Sequence, residues 1–138
     1  MNFISRDLYD IETIAISILN QFITVPSIIF LNGPMGIGKT TLASLMIKKL
    51  NGHESSSSSY GIVNIYPGKP SIIHCDFYRT NWSEDFYESE ISPHLTNNSV
   101  LFIEWVKPHI LDTFVNTISI ELSPDKQNTR RIKACLCN

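Results

Sequence analysis

Apolar positions recur at helical spacing near the start of the chain. Leu8, Ile11, Ala15, Ile18 and Phe22 fall on one face of a helix predicted over about 7–21, with Ser5 as its cap. Pro26 breaks that pattern, and Ile28-Ile29-Phe30-Leu31 then reads as a parallel strand covered on both faces. A second helix is predicted over 40–50, with Leu42, Leu45, Met46 and Leu50 at helical spacing and Asn51-Gly52 as its left-handed stop. The polar run His53-Glu54-Ser55-Ser56-Ser57-Ser58-Ser59-Tyr60 is a loop. Residues 62–66 and 71–76 read as a strand pair around the turn Pro67-Gly68-Lys69-Pro70. Ser83 with Glu84 and Asp85 opens a short acidic helix, and 100–105 is a further apolar strand. Residues 116–122 and 130–136 alternate in period two and form a terminal hairpin. The order helix, strand, helix, then mainly strands predicts an α/β three-layer sandwich. Its sheet is mixed and partly parallel, and an antiparallel hairpin closes the chain.

Composition narrows this picture. A chain of 138 residues is expected to form one domain over 1–138. Eleven Lys+Arg against 13 Asp+Glu give a net charge of −2, which excludes a polybasic nucleic-acid binder. No apolar run approaches the roughly 18 residues that span a bilayer. The N-terminal stretch carries acids and no basic start, so it does not read as a signal peptide. Cys75, Cys135 and Cys137 are sparse and odd in number, which fits a reduced, cytoplasmic compartment.

The segment Gly33-Pro34-Met35-Gly36-Ile37-Gly38-Lys39-Thr40 matches G-x-x-x-x-G-K-[ST]. A loop that wraps a phosphate with backbone N–H groups needs glycine wherever a Cβ would clash or φ is positive. The helix that follows points its positive end at the same phosphates. Lys39 is expected to reach the β- and γ-phosphates, and the Thr40 hydroxyl to ligate Mg²⁺. The preceding buried strand and following amphipathic helix are the context this motif requires, so the fold is expected to be P-loop NTPase-like.

Such a site needs a carboxylate at a strand end to hold Mg²⁺, directly or through water. Glu104 ends Val100-Leu101-Phe102-Ile103, and Asp76 ends Ile72-Ile73-His74-Cys75. Either acid could be a solvated strand end, and beside a phosphate loop the metal role is favoured for at least one. Adjacent His74 and Cys75 point to opposite faces of a strand and cannot share a zinc ion. Cys135 and Cys137 share a face and read as small apolar residues; His53, His94 and His109 read as solvated side chains.

Together these segments resemble the TsaE (YjeE-type) family, the P-loop ATPases of bacterial tRNA threonylcarbamoyladenosine biosynthesis. The family's L-x-G-D-L-G-A-G-K-T-T corresponds to Leu31 through Thr41, its H-F-D-L-Y-R to His74-Cys75-Asp76-Phe77-Tyr78-Arg79, and its L-I-E-W to Phe102-Ile103-Glu104-Trp105. Glu12-Thr13 resembles a stretch that lies by the adenine, and Arg130 on the closing hairpin also matches in position. The resemblance implies ATP hydrolysis with Mg²⁺ on a TsaB–TsaD-type protein pair, with only minor direct tRNA contact. It implies that Thr13, Gly33, Gly36, Ile37, Gly38, Lys39, Thr40, Thr41, Trp105 and Arg130 bind ATP. Lys39, Asp76 and Glu104 would be catalytic, with Thr40, Glu104 and Asp76 at the metal. The rival readings are a small-molecule or nucleoside kinase and a weakly hydrolysing, nucleotide-dependent scaffold.

Four departures from the family pattern stand out. Pro34 replaces an Asp, Cys75 an aromatic, and Val106-Lys107 a Pro-[EQ] pair. The S-P-T-[FY] switch falls on Ser57-Ser58-Ser59-Tyr60, so its stiffening proline is gone. Ordering each serine costs about 1–2 kcal/mol of backbone entropy, so the loop is expected to be mobile alone and hydrolysis slow. Docking on the partner pair should order it, bringing Ser57, Ser59 or Tyr60 towards the phosphates. Hydrogen exchange across 53–61 is expected to show protection with ATP plus partner and little with ATP alone. Full protection by ATP alone, with fast unassisted hydrolysis, would overturn this.

Overall fold

The computed structural model describes residues 1–54 and 62–137. Strand β1 (Asn2–Ser5) leads into helix α1 (Leu8–Phe22), then β2 (Ser27–Asn32) and α2 (Lys39–Asn51). Strands β3 (Val63–Tyr66) and β4 (Ser71–Asp76) follow, then α3 (Glu84–Phe86), which runs on through a π turn at Tyr87–Ile91 and a 3₁₀ turn at Ser92–His94. Strands β5 (Ser99–Glu104), β6 (Asn116–Pro124) and β7 (Arg130–Leu136) complete the chain.

The seven strands form one sheet in the order β1-β7-β6-β2-β5-β4-β3. Its four central strands, β6, β2, β5 and β4, are mutually parallel. The flanking β3, β7 and β1 pair antiparallel to their neighbours. The mixed sheet with a terminal hairpin is therefore as expected. The first strand, β1, is a departure from the sequence reading: a four-residue edge segment, half exposed, carries too little apolar alternation to announce itself.

Alternation along the central strands feeds two cores. Ile29 and Leu31 of β2 join Ile72, Val100 and Phe102 under α1 and α2. Ile28 and Phe30 join Ile73, Cys75, Leu101 and Ile103 on the other face, beneath Ile91, Trp82 and Phe86. These are the three layers.

Two details of α1 correct the sequence reading. Its cap is Asp7, whose carboxylate accepts from the Asp10 N–H at 2.8 Å; Ser5 closes β1 instead. Leu8, in the first turn, is 63 % exposed, and the buried stripe is Ile11, Ile14, Ala15 and Ile18. The Ser83 cap is as expected, its hydroxyl accepting from the Phe86 N–H at 3.0 Å. His109 is also unlike the solvated side chain expected, lying half-buried between the rings of Phe30 and Trp82. No helix among the described residues is long and apolar enough to cross a membrane.

Burial separates the cysteines. Cys75 lies within the second core, and desolvation pushes its thiol up to about 12, whereas Cys135 and Cys137 are exposed. Since the thiolate is the nucleophile, alkylation at pH 8 is expected to label Cys135 and Cys137 in the native protein and Cys75 only after denaturation. Peptide mass mapping of the alkylated protein checks this.

Candidate functional site

The loop between β2 and α2 is shaped by its glycines. Gly33, Gly36 and Gly38 have φ of +149°, +78° and +114°. At Gly33 the constraint is also spatial, because a Cβ there would lie 2.4 Å from the Leu122 carbonyl oxygen of β6. Arg130 of β7 ties the loop from the same side, its guanidinium donating to the Ile37 carbonyl at 2.7 Å. The terminal hairpin thus holds the phosphate loop in shape.

Gly38 caps α2 without any side-chain hydrogen bond, and no acid stands in the first turn. The leading N–H groups of a 13-residue helix are therefore open to an anion. Lys39 stands at that end. Its Nζ donates to the carbonyls of Gly33 and Pro34 and lies 3.8 Å from the centroid of the Trp105 ring. Burial pulls the Lys39 pKa below the ordinary lysine value, and the charges of Glu104 and Asp76 oppose that shift.

Met35, Gly36, Gly38, Lys39, Thr40, Thr41, Asp76, Tyr78, Glu104 and Trp105 line one cavity of about 320 Å³. The parallel register of β4 and β5 sets Asp76 beside Glu104. One Asp76 oxygen accepts from the Tyr78 N–H at 2.9 Å. Glu104 is 1 % exposed; its Oε1 is 3.5 Å from the Thr40 hydroxyl and its Oε2 is 2.6 Å from His74 Nε2. Trp105 leaves the strand at φ +68°, a left-handed conformation unusual for a bulky residue, and its ring packs on Tyr78 at 4.9 Å.

Most residues expected at the site are brought together here. Gly33, Ile37 and Arg130 stand behind the loop rather than in the cavity wall. Thr13 does not line the cavity: it lies on the exposed face of α1, its hydroxyl donating to the Tyr9 carbonyl, while neighbouring Glu12 pairs with Lys49 at 3.5 Å. The switch residues Ser57, Ser59 and Tyr60 lie outside the described residues. Tyr78 and the His74 contact with Glu104 were missed by the sequence reading. The signal for His74 was present, since residues two apart on a strand share a face, and His74 and Asp76 are two apart.

A mixed sheet whose central parallel strand β2 runs through a glycine loop into a helix, with acids at the ends of the parallel strands β4 and β5, defines a P-loop NTPase-like fold. The model of the family "Threonylcarbamoyl adenosine biosynthesis protein TsaE" matches residues 6–132, and the chain belongs to that family. A relative from Rickettsia bellii, named tRNA threonylcarbamoyladenosine biosynthesis protein TsaE, is 32 % identical over 117 residues, covering 81 % of this chain and 76 % of its own length. A Haemophilus influenzae protein of the same name is 36 % identical over 81 residues, covering 56 % of this chain and 50 % of its own. Among solved structures, the Bacillus protein YdiB superposes with a TM-score of 0.70 at 19 % identity, over 100 % of this chain and 86 % of that one. At that identity the likeness speaks for the fold.

The loop geometry makes a prediction about glycine. Gly33→Ala must push a methyl into the Leu122 backbone, which cannot swing aside, so the loop must move off β6. Gly52→Ala faces open space at φ +82° and should cost only the left-handed penalty, about 1–2 kcal/mol. Urea unfolding of the two variants is expected to show the larger loss for Gly33→Ala. Equal losses would mean that the close approach to Leu122 does not constrain the loop.

Proposed function

We propose that this chain is a Mg²⁺-dependent ATP-binding and ATP-hydrolysing protein. In this reading it serves formation of the threonylcarbamoyl modification on the adenosine next to the anticodon in tRNAs that read ANN codons. It acts in the cytoplasm with a TsaB–TsaD-type protein pair. The observation that carries the reading is the cavity where the start of α2, free of any side-chain cap bond, meets Lys39, Thr40, Asp76 and Glu104.

Loop amides and Lys39 hold the phosphates, with Gly36, Gly38 and Thr41 around them. Thr40 and Glu104 would hold the cation, and Asp76 in the same cavity would orient water. Among the described residues no three His, Cys, Asp or Glu side chains converge as a metal cage. A nucleotide-borne Mg²⁺ needs less, because one or two protein groups suffice when phosphate and water oxygens complete the octahedron. The Thr40 hydroxyl and the nearby carboxylates suit that kind of cation. When bound, it neutralises charge on the phosphoryl oxygens.

Two substitutions separate phosphate binding from chemistry. Lys39→Ala removes a group that serves the ligand, so the variant is expected to stay folded and bind ATP at least tenfold more weakly, about 1.4 kcal/mol. Glu104→Gln keeps shape and removes charge, so nucleotide should still bind while Mg²⁺-dependent hydrolysis collapses. Unchanged ATP affinity in folded Lys39→Ala would refute the phosphate site. Wild-type hydrolysis by Glu104→Gln would make Asp76 the essential carboxylate. Failure to co-purify with a TsaB–TsaD pair in any nucleotide state would remove the pathway reading and leave the ATP site standing.

A further inference from the structure

Among the groups around Glu104, His74 has no part in the reading above. On β4 it stands beside Phe102 of β5, and Asp76 stands beside Glu104. Because side chains alternate, Ile72, His74 and Asp76 share one face with Val100, Phe102 and Glu104. Ile72, Val100 and Phe102 pack in the core under α1 and α2, so that face is the one towards the phosphate loop's helix. His74 therefore sits one pleat behind Asp76 and diagonal to Glu104, a spacing that long side chains bridge.

The contact is close and dry. His74 Nε2 lies 2.6 Å from Glu104 Oε2, with side-chain exposures of 7 % and 1 %. Its ring stands edge-on to Phe102, with centroids 6.3 Å apart, which limits its swing. An ionised carboxylate only accepts, so Nε2 carries the donated hydrogen. Glu104 is then held by one oxygen, while its other oxygen, Oε1, is the one 3.5 Å from the Thr40 hydroxyl.

We infer that His74 is a positioning residue: by holding Oε2 of Glu104, it fixes the carboxylate so that Oε1 and the Thr40 hydroxyl together meet a nucleotide-bound divalent cation. This inference rests on the reading of Glu104 and Thr40 as the cation's protein ligands. The physical logic is that of a group behind a metal ligand, which orients the ligand and thereby sets the affinity for the metal.

The test uses two amides of different reach. In His74→Gln the side-chain nitrogen comes close to the position of Nε2 and can still donate to Glu104; in His74→Asn it is one methylene short. Binding of a non-hydrolysable ATP analogue is measured at one pH in EDTA and in Mg²⁺, and Mn²⁺ occupancy is read by paramagnetic resonance. In EDTA the wild type and both variants are expected to bind alike, since loop amides and Lys39 need no metal. The gain in affinity brought by Mg²⁺, and the affinity for Mn²⁺, are expected to persist in His74→Gln and to fall about 10–100-fold in His74→Asn. Adding His74→Asn to Glu104→Gln should change the Mg²⁺ gain no further. A full Mg²⁺ gain in His74→Asn, equal losses in Gln and Asn, or a matching loss in EDTA would each overturn the positioning role and leave the nucleotide reading intact. A wild type that binds the analogue in neither condition would overturn both.

Discussion

Glu104 is a carboxylate buried at the end of a central strand, and the arrangement around it follows from that. Removing an ion from water costs several kcal/mol even after relaxation, unless partners satisfy its lone pairs. His74 supplies an N–H to one oxygen and the Thr40 hydroxyl approaches the other. The positive charge of Lys39, itself opposed by burial, is favoured by Glu104 and Asp76. Each charge is tolerable because the others are there.

Sheet topology explains why these groups can meet at all. Parallel strands end at the same edge of the sheet, and β2 lies between β5 and β6, with β4 beyond β5. The glycine loop leaves β2 at that edge, next to the ends of β5 and β4 where the two acids stand. The hairpin completes the arrangement from the other flank. Leu122 of β6 sets the closest approach that Gly33 permits, and Arg130 of β7 anchors the Ile37 carbonyl. The last strands of the chain thereby shape a loop some ninety residues earlier, which gives the matching position of Arg130 a structural meaning.

What was legible in the sequence is what backbone geometry demands of residue type. Three glycines at positive φ and an apolar strand buried on both faces leave little freedom of composition. The departures at Cys75 and Val106 lie in the core on the sheet's opposite face, away from the cavity. The start of α1 was harder to place, because Ser5 and Asp7 are both competent caps and only the pairing of β1 with β7 assigns Ser5 to a strand. The left-handed turn at Trp105 was not legible, since nothing in a tryptophan announces positive φ. It arises where the chain leaves β5 with the Trp105 N–H directed to the Leu31 carbonyl at 3.4 Å and the indole over Lys39.

That turn bears on how tightly the cavity can hold an anion. A residue in a sparsely populated backbone region costs about 1–3 kcal/mol and persists only when its surroundings over-determine it. Here the surroundings are the Tyr78 ring and the Lys39 ammonium, whose cation–π contact contributes about 0.5–2 kcal/mol. Lys39 already donates to the Gly33 and Pro34 carbonyls, so it is a satisfied cation. A phosphate arriving there would compete with those carbonyls and the indole for the three N–H groups of the ammonium. Any anion affinity that Lys39 adds would therefore be a difference between two bonded states, smaller than the bare charge–charge attraction. The N–H groups in the first turn of α2 have no side-chain competitor, so an anion there would displace only water from them.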